Sequence, residues 1–413
     1  MYTETAQSRR TGFQASAASS ADCNETSCQA PPRPVAPAPL HYRRPSERPF
    51  TRAERGHVTL LFGGLTQRQD RLVEAALQGL GHKAQRIPLP TKLDFQTGRE
   101  YGNTGQCNPT YFTVGALLNF LMKLRDVEGI PTDRIVSDYV FATAGSPCGP
   151  CRFGMYESEY RLALRNAGFD GFRVLLFDQE TDLMQSDGEA GLQMNAASFL
   201  RVVSAFFLGD MLNAVANHIR PYEVVPGRTD EVFERCLVLC QDALRAPDDA
   251  ARPTITARLL ARLTRLDVRE IAAMLAQLRT RRYVEALARC RALIDEEIEV
   301  DYTRAKPIVK VTGEFWAQTT EGDGNFHMFR FLEQEGAETL TEPFATWLDY
   351  SIYWWRQYFE DRRGINEAAG SPQWWNVARR LRGTLAYGSR ALALRLAAWM
   401  YRYEYERMRR ALG

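Results

Sequence analysis

Long apolar runs are missing from this chain. No stretch approaches about 18 consecutive apolar residues, so no transmembrane helix and no membrane partner are expected. The first residues lack the apolar core of a secretory signal. A surplus of one charge sign is missing too: 52 basic against 50 acidic side chains leave a net charge of +2. That balance gives no support for a general polyanion-binding surface, and no nucleic acid is expected. There is no P-loop. Cysteine is absent beyond Cys290, and glycine is scarce between about 190 and 300. With 25% charged and 45% hydrophobic residues, the bulk of the chain is globular and long enough for two or three cores.

What is present is uneven. Residues 1–54 are rich in Ser, Ala, Pro and Arg and read as a tail that buries little apolar surface. Cys23 and Cys28 lie in it, too loosely spaced for a closed metal site. His57 to Phe62 reads as a buried strand, ended by Gly63-Gly64, and Thr66 with Gln69 forms a capping-box pattern opening a helix. Lys83 to Leu89 reads as the next strand, Ile135 to Ala142 as another, Phe153 to Ala167 as a helix and Phe172 to Phe177 as a strand. This alternation predicts a parallel, doubly wound sheet over residues 55–190. Residues 191–305 read as a helical insertion or lid. Residues 306–413 read as a second α/β unit with a long C-terminal helix carrying Arg and Tyr.

Chemistry concentrates in two turns. The first is Thr104-Gly105-Gln106-Cys107-Asn108-Pro109, in which Asn108 is expected to cap a helix with Pro109 at its first position. The second, about forty residues later, is Ser146-Pro147-Cys148-Gly149-Pro150-Cys151-Arg152-Phe153-Gly154. Both turns should open helices at the carboxyl edge of the sheet, where amide protons and a partial positive charge favour thiolate. The spacing alone is compatible with a metal site, with zinc, or with a thiol–disulfide couple of Cys148 and Cys151. Clustered cysteines without a need for disulfides point to a cytoplasmic protein. Cys236 and Cys240 share a helix face and are expected in the core, as reserve ligands at most, with Cys290 as buried filler. His82 reads as a surface cap residue, and Glu157 and Glu159 as first-turn dipole partners. Glu314 and His327, near Asp323 and Asn325, are weak candidates for proton transfer. Tyr350, Tyr353, Trp354, Trp355 and Tyr358 are spaced for a packed helix face.

The strings GREYGNTGQCNPTYFTVGALLNFL and FATAGSPCGPCRFGMYESEYRLALRNAGF resemble the signature blocks of the 2-hydroxyacyl-CoA dehydratase-like family. They are most similar to a cysteine-bearing segment of the large CoA-substrate-specific enzyme activases. VKVTGEFWAQTTEGDGNFHMFRFLEQEGAE resembles the family's second-domain opening. The resemblance implies two flavodoxin-like α/β domains with a 4Fe–4S or related iron–sulfur cluster held by three cysteines. Cys107 and Cys151 match best, and Cys148 is taken as the third ligand. It further implies a separate ATP-dependent activator or reductase as electron donor, an acyl-CoA or other small-molecule substrate, and a homo- or hetero-oligomer. The chain itself lacks the actin-like ATPase signature, so it is not expected to be the activator. The expected role is low-potential electron transfer or a dehydratase-like or reductase component. The alternative is a non-catalytic scaffold or regulatory subunit with structural or zinc-binding cysteines.

Overall fold

The run Thr59-Leu60-Leu61-Phe62 forms β1 (Thr59–Phe62) of the computed structural model, and all four residues are buried. A strand with no exposed side must be covered on both faces. The structure describes residues 47–145, 152–178, 191–192, 195–247, 253–264, 267–362 and 377–413. After β1 the expected capping box opens α1 (Gln67–Gly79): Thr66 accepts from the Gln69 amide, and the Gln69 side chain accepts from the Thr66 amide. β2 (Ala84–Arg86) follows. Thr91 and Asp94 then make a second capping box, opening a helix that the strand pattern left out, α2 (Lys92–Tyr101). Next come α3 (Asn108–Asp126), α4 (Thr132–Asp138) and β3 (Tyr139–Gly145). A 3-10 turn over Arg152–Met155 leads into α5 (Tyr156–Asn166) and β4 (Arg173–Asp178).

The four strands are parallel in the order β2-β1-β3-β4. The expected strand from Ile135 is corrected by α4: Pro131 sets the helix entry, Ile135 buries its side chain from a helical turn, and the strand begins only at Tyr139. His82 is corrected as well. It is buried, and burial with the nearby Arg55 charge pushes its pKa down to about 4, so it is a neutral core residue.

Alternate residues of the strands feed two separate cores. Leu60, Phe62, Val140 and Ala142 face one cluster, while Leu61, Phe141 and Val174 face another with Leu117, Leu121 and Leu164 of α3 and α5. The first cluster is completed by α1 and by α6 (Ala196–Ile219), α7 (Arg228–Arg245) and α10 (Arg282–Glu297); between α7 and α10 run α8 (Ile255–Thr264) and α9 (Val268–Arg279). α6, α7 and α10 are therefore core to the sheet and do not stand apart as a lid, while α8 and α9 pack on each other in a small cluster of their own. α6 is long and apolar enough to cross a membrane by length and composition, but 67% of that window is buried inside the protein, as in a core helix.

A second, two-stranded parallel sheet pairs β5 (Ile308–Val311) with β6 (Glu338–Thr341). Between them lie α11 (Phe315–Thr319), a 3-10 turn over Gly322–Asn325 and α12 (Met328–Gln334). α13 (Phe344–Asp361) and α14 (Val377–Leu412) complete the described chain. The fold is thus mixed α/β with two small parallel sheets, a helical middle and a long last helix. Asp210 of α6 joins the two parts. Its buried carboxylate accepts from the Phe344 and Ala345 amides at the start of α13 and from Gln69 Nε2 of α1.

Candidate functional site

The sheet order creates a place where the chain parts in two directions. From β1 it leaves through α1 to β2, and from β3 through α5 to β4 on the opposite side. Ligands of open α/β sheets sit outside the carboxyl ends of two such strands. Gly63-Gly64 ends β1 there, with Gly64 at φ +114°, and its amide and that of Leu65 donate to Asp70 of α1 at 3.3 and 3.4 Å. A Cβ on Gly64 would lie 3.5 Å from the Trp316 indole of α11 and 4.0 Å from the Thr113 methyl of α3. Tyr160 of α5, wholly buried, hydrogen-bonds Thr113 and Thr143, and burial pushes its phenol up to about 12.

Six residues before Thr113, Cys107 is itself the N-cap of α3, with φ −73° and ψ 153°. The expected cap at Asn108 shifts by one residue: Cys107 takes the extended cap conformation, and Pro109 follows at the second helical position. The cap conformation leaves the thiol free of backbone capping, so Sγ reaches two hydroxyls, Thr110 Oγ1 and Tyr156 OH, each at 3.1 Å. Burial, and then the hydrogen bond to Cys107, raise the Tyr156 pKa far above its ordinary value, so its phenol stays protonated and can donate to sulfur. Cys107 is part-buried, at the positive end of a 19-residue helix.

The turn that carries Cys107 is built with care for its shape. Glu159 of α5 is 3% exposed, and its carboxylate accepts from the Asn103 amide at 3.2 Å, Asn103 Nδ2 at 2.7 Å and Gln106 Nε2 at 3.1 Å. Tyr111 OH accepts from the Gln106 amide and donates to the Asn103 carbonyl. Gly105 supplies the left-handed corner at φ +80°. Glu159 is therefore more than the dipole partner expected of it. It clamps the turn. Glu157, beside it, pairs with Arg161.

No protein-family model, no curated protein and no solved structure matches this chain. The site is read from its own geometry.

Cys148 and Cys151, like Cys23 and Cys28, lie outside the described residues. The backbone on either side of the second turn is described: β3 brings Gly145 to the carboxyl edge, and Arg152–Met155 runs directly into Tyr156, the residue that touches Cys107. Among the described residues, no group of three or more His, Cys, Asp and Glu side chains is placed to hold a metal ion. Glu314 is exposed and caps α11, accepting from the Ala317 amide at 3.2 Å. His327 is exposed, in the left-handed region at φ 55°, with Nε2 3.0 Å from Asp323 Oδ1; the other oxygen of Asp323 accepts from the Lys92 amide. Neither Glu314 nor His327 hydrogen-bonds to Cys107, Thr110 or Tyr156.

Cys236, Cys240 and Cys290 gather in the core between α7 and α10, all wholly buried, with Cys240 and Cys290 sulfurs 3.9 Å apart. The hydrogen bond with Cys290, and then burial, raise the Cys236 thiol pKa, so it stays a thiol and packs as a small apolar group. Thr110, Tyr111 and Tyr156 are the site residues that sequence reasoning missed, and Glu159 was given a lesser role. Thr110 and Tyr111 lie within one helical turn of the cap and meet the loop by local contacts; Tyr156 and Glu159 reach it only through tertiary folding.

Proposed function

We propose that this chain is an iron–sulfur protein related to the 2-hydroxyacyl-CoA dehydratases, acting in low-potential electron transfer or in reductive or dehydratase chemistry with electrons from a separate ATP-dependent activator. On this reading each sheet is the centre of a flavodoxin-like domain, and Cys107, Cys148 and Cys151 hold the cluster. The observation that supports it most is the placement of Cys107. It is the N-cap residue of a helix at the carboxyl edge of a parallel sheet, and its thiol is within hydrogen-bond reach of Tyr156, five residues after Cys151. The donor set fits such a group: a thiol at a positive helix end, with the hydroxyls of Thr110 and Tyr156, themselves hydrogen-bonded to each other, both within reach of its sulfur.

A bound cluster would supply one-electron chemistry at low potential. The chain's own groups do the rest. The α3 terminus presents its positive end to Cys107. Thr110 and Tyr156 orient its sulfur and can donate to it, and Glu159 with Tyr111 fixes the turn so that the sulfur position is set before anything binds. Gly64 lets the strand end approach Trp316 and Thr113 closely, which walls this side of the sheet edge.

Anaerobic purification followed by iron and sulfide analysis tests this reading. The expected result is a brown protein with broad absorbance near about 400 nm and a reduced-state EPR signal. Cys107→Ser should lower bound iron by more than about half while the helical content stays unchanged. A colourless protein with no iron after anaerobic reconstitution overturns the proposal, and stoichiometric zinc with no redox activity would instead assign a scaffold or regulatory subunit.

A further inference from the structure

The near-neutral charge of this chain conceals a strongly basic element. α14 carries nine arginines against two glutamates, on a chain whose net charge is only +2, so the remainder is net acidic. One face of α14 packs inward: Ala398, Met408 and Leu412 are buried, and Tyr401 and Tyr405 meet Phe207 of α6 edge-on. A second face is apolar and uncovered. Leu392, Leu396, Trp399 and Tyr403 are 54%, 48%, 62% and 49% exposed, and their alternating four- and three-residue steps line them up along one side of the helix. Beside this stripe, Arg356 of α13 with Arg395 and Arg402 of α14 borders an open groove of about 480 Å³, whose one acid, Glu406, is held by Arg409 and Arg410. The Trp399 and Tyr403 rings stack in it, with centroids 5.5 Å apart. Arg402 is held by Asp349, but Arg356 and Arg395 have no carboxylate partner among the described residues. α13 adds Tyr350, Tyr353 and Trp354, exposed where a packed face was expected from their spacing.

We propose that the α13–α14 hairpin docks on an anionic phospholipid surface, with the Leu392–Leu396–Trp399–Tyr403 stripe entering the headgroup layer and Arg356 and Arg395 meeting lipid phosphates and carboxylates. Exposed Leu, Trp and Tyr on one face of a basic helix is the composition of an interfacial helix. Indole and phenol rings, apolar in body and polar at the tip, suit the boundary between acyl chains and headgroups. Nucleic acid is the poorer fit, because the two exposed leucines give bases nothing to stack on. A second copy would set one arginine-rich helix against another. The sequence expectation of no membrane partner rested on the missing spanning run, and a peripheral contact needs none.

The test is sedimentation of the full chain with vesicles of phosphatidylcholine, with and without about 30 mol% phosphatidylserine. The protein should pellet with the anionic vesicles and stay in solution with phosphatidylcholine alone, and raising NaCl from about 0.1 to about 0.5 M should release it. Trp399→Glu and Leu396→Glu should each reduce the bound fraction at least about fivefold, because each puts a charge into the apolar stripe. Arg395→Gln should reduce it in anionic vesicles. Both stripe positions are exposed, so circular dichroism of the variants should match the parent. Failure to pellet, equal pelleting with both vesicle types, or undiminished binding by Trp399→Glu overturns the proposal. So does light scattering that shows a dimer dispersed by Trp399→Glu, which would assign the stripe to a second copy.

Discussion

Glu159 shows how much one buried carboxylate can organise. It satisfies three donors of the Cys107 turn from a neighbouring helix, and removing it leaves all three without that partner. Glu159→Ala should cost about 0.5–1.5 kcal/mol by chemical denaturation, the range for losing an ordinary hydrogen bond, because Asn103 is exposed and Gln106 half-buried, so water takes over the freed donors. Glu159→Gln keeps one acceptor oxygen and should recover roughly half of that loss. Amide exchange at residues 103–106 should rise in the alanine variant, and unchanged exchange would show that Tyr111 alone holds the turn. Position 159 also marks the limit of what could be read from sequence. An acid in a helix first turn looks the same whether it serves the dipole or clamps a loop 53 residues away. Cys107 was legible because a glycine-rich turn, a cysteine and a proline form a local pattern. Tyr156 was not, because its partner is set by how two helices cross.

At the scale of elements, the hairpin of α2 and α3 brackets the Cys107 turn, and glycine decides how closely its arms approach. A Cβ on Gly115 would lie 1.7 Å from the Asp94 carbonyl oxygen, and one on Gly98 would lie 1.9 Å from that of Tyr111. Both obstacles are backbone, so no rotamer change relieves them. Gly115→Ala should therefore destabilise the protein by about 2–4 kcal/mol, although alanine is the better helix former. A thermal melt that matches the parent would mean the two helices can part. The alternation of strand and helix was readable along the first sheet because buried strands and capped helices carry local signals. α2 escaped because its ten residues offer little apolar periodicity, although Thr91 and Asp94 spell its cap. α4 escaped because its seven residues are too few to show a helical period, and Ile135 and Val136 stand close enough to Tyr139 and Val140 to read as one strand.

For the whole molecule, Asp210 is the joint between the first sheet's helices and the second sheet's flank. Burial raises its pKa to about 7 despite three hydrogen-bond donors. An unfolded aspartate ionises near about 3.8, so between those values the folded state holds a proton that the unfolded state has lost. Stability from this group is therefore full at low pH, falls as pH rises through the window, and levels off above about pH 7. Asp210→Asn cannot ionise. Relative to the parent it should gain stability between about pH 5 and pH 7, on the order of 1 kcal/mol per pH unit. Parallel denaturation curves at the two pH values check this, and a constant difference would show that Asp210 is ionised throughout. That the helical middle builds the first sheet's core was not legible in sequence, since an apolar helix reads alike as lid or as core until the face it covers is known.

The clamp on the Cys107 turn also sets an order of events during synthesis. Its jaws, Tyr156 and Glu159, are made about fifty residues after the cysteine they position. A ribosome must therefore finish α5, and release enough chain for it to pack on α3, before Cys107 acquires its surroundings. Until then the turn lacks both the acceptor that fixes it and the phenol that meets its sulfur, so the shape of the Cys107 turn is acquired only once α5 has been made.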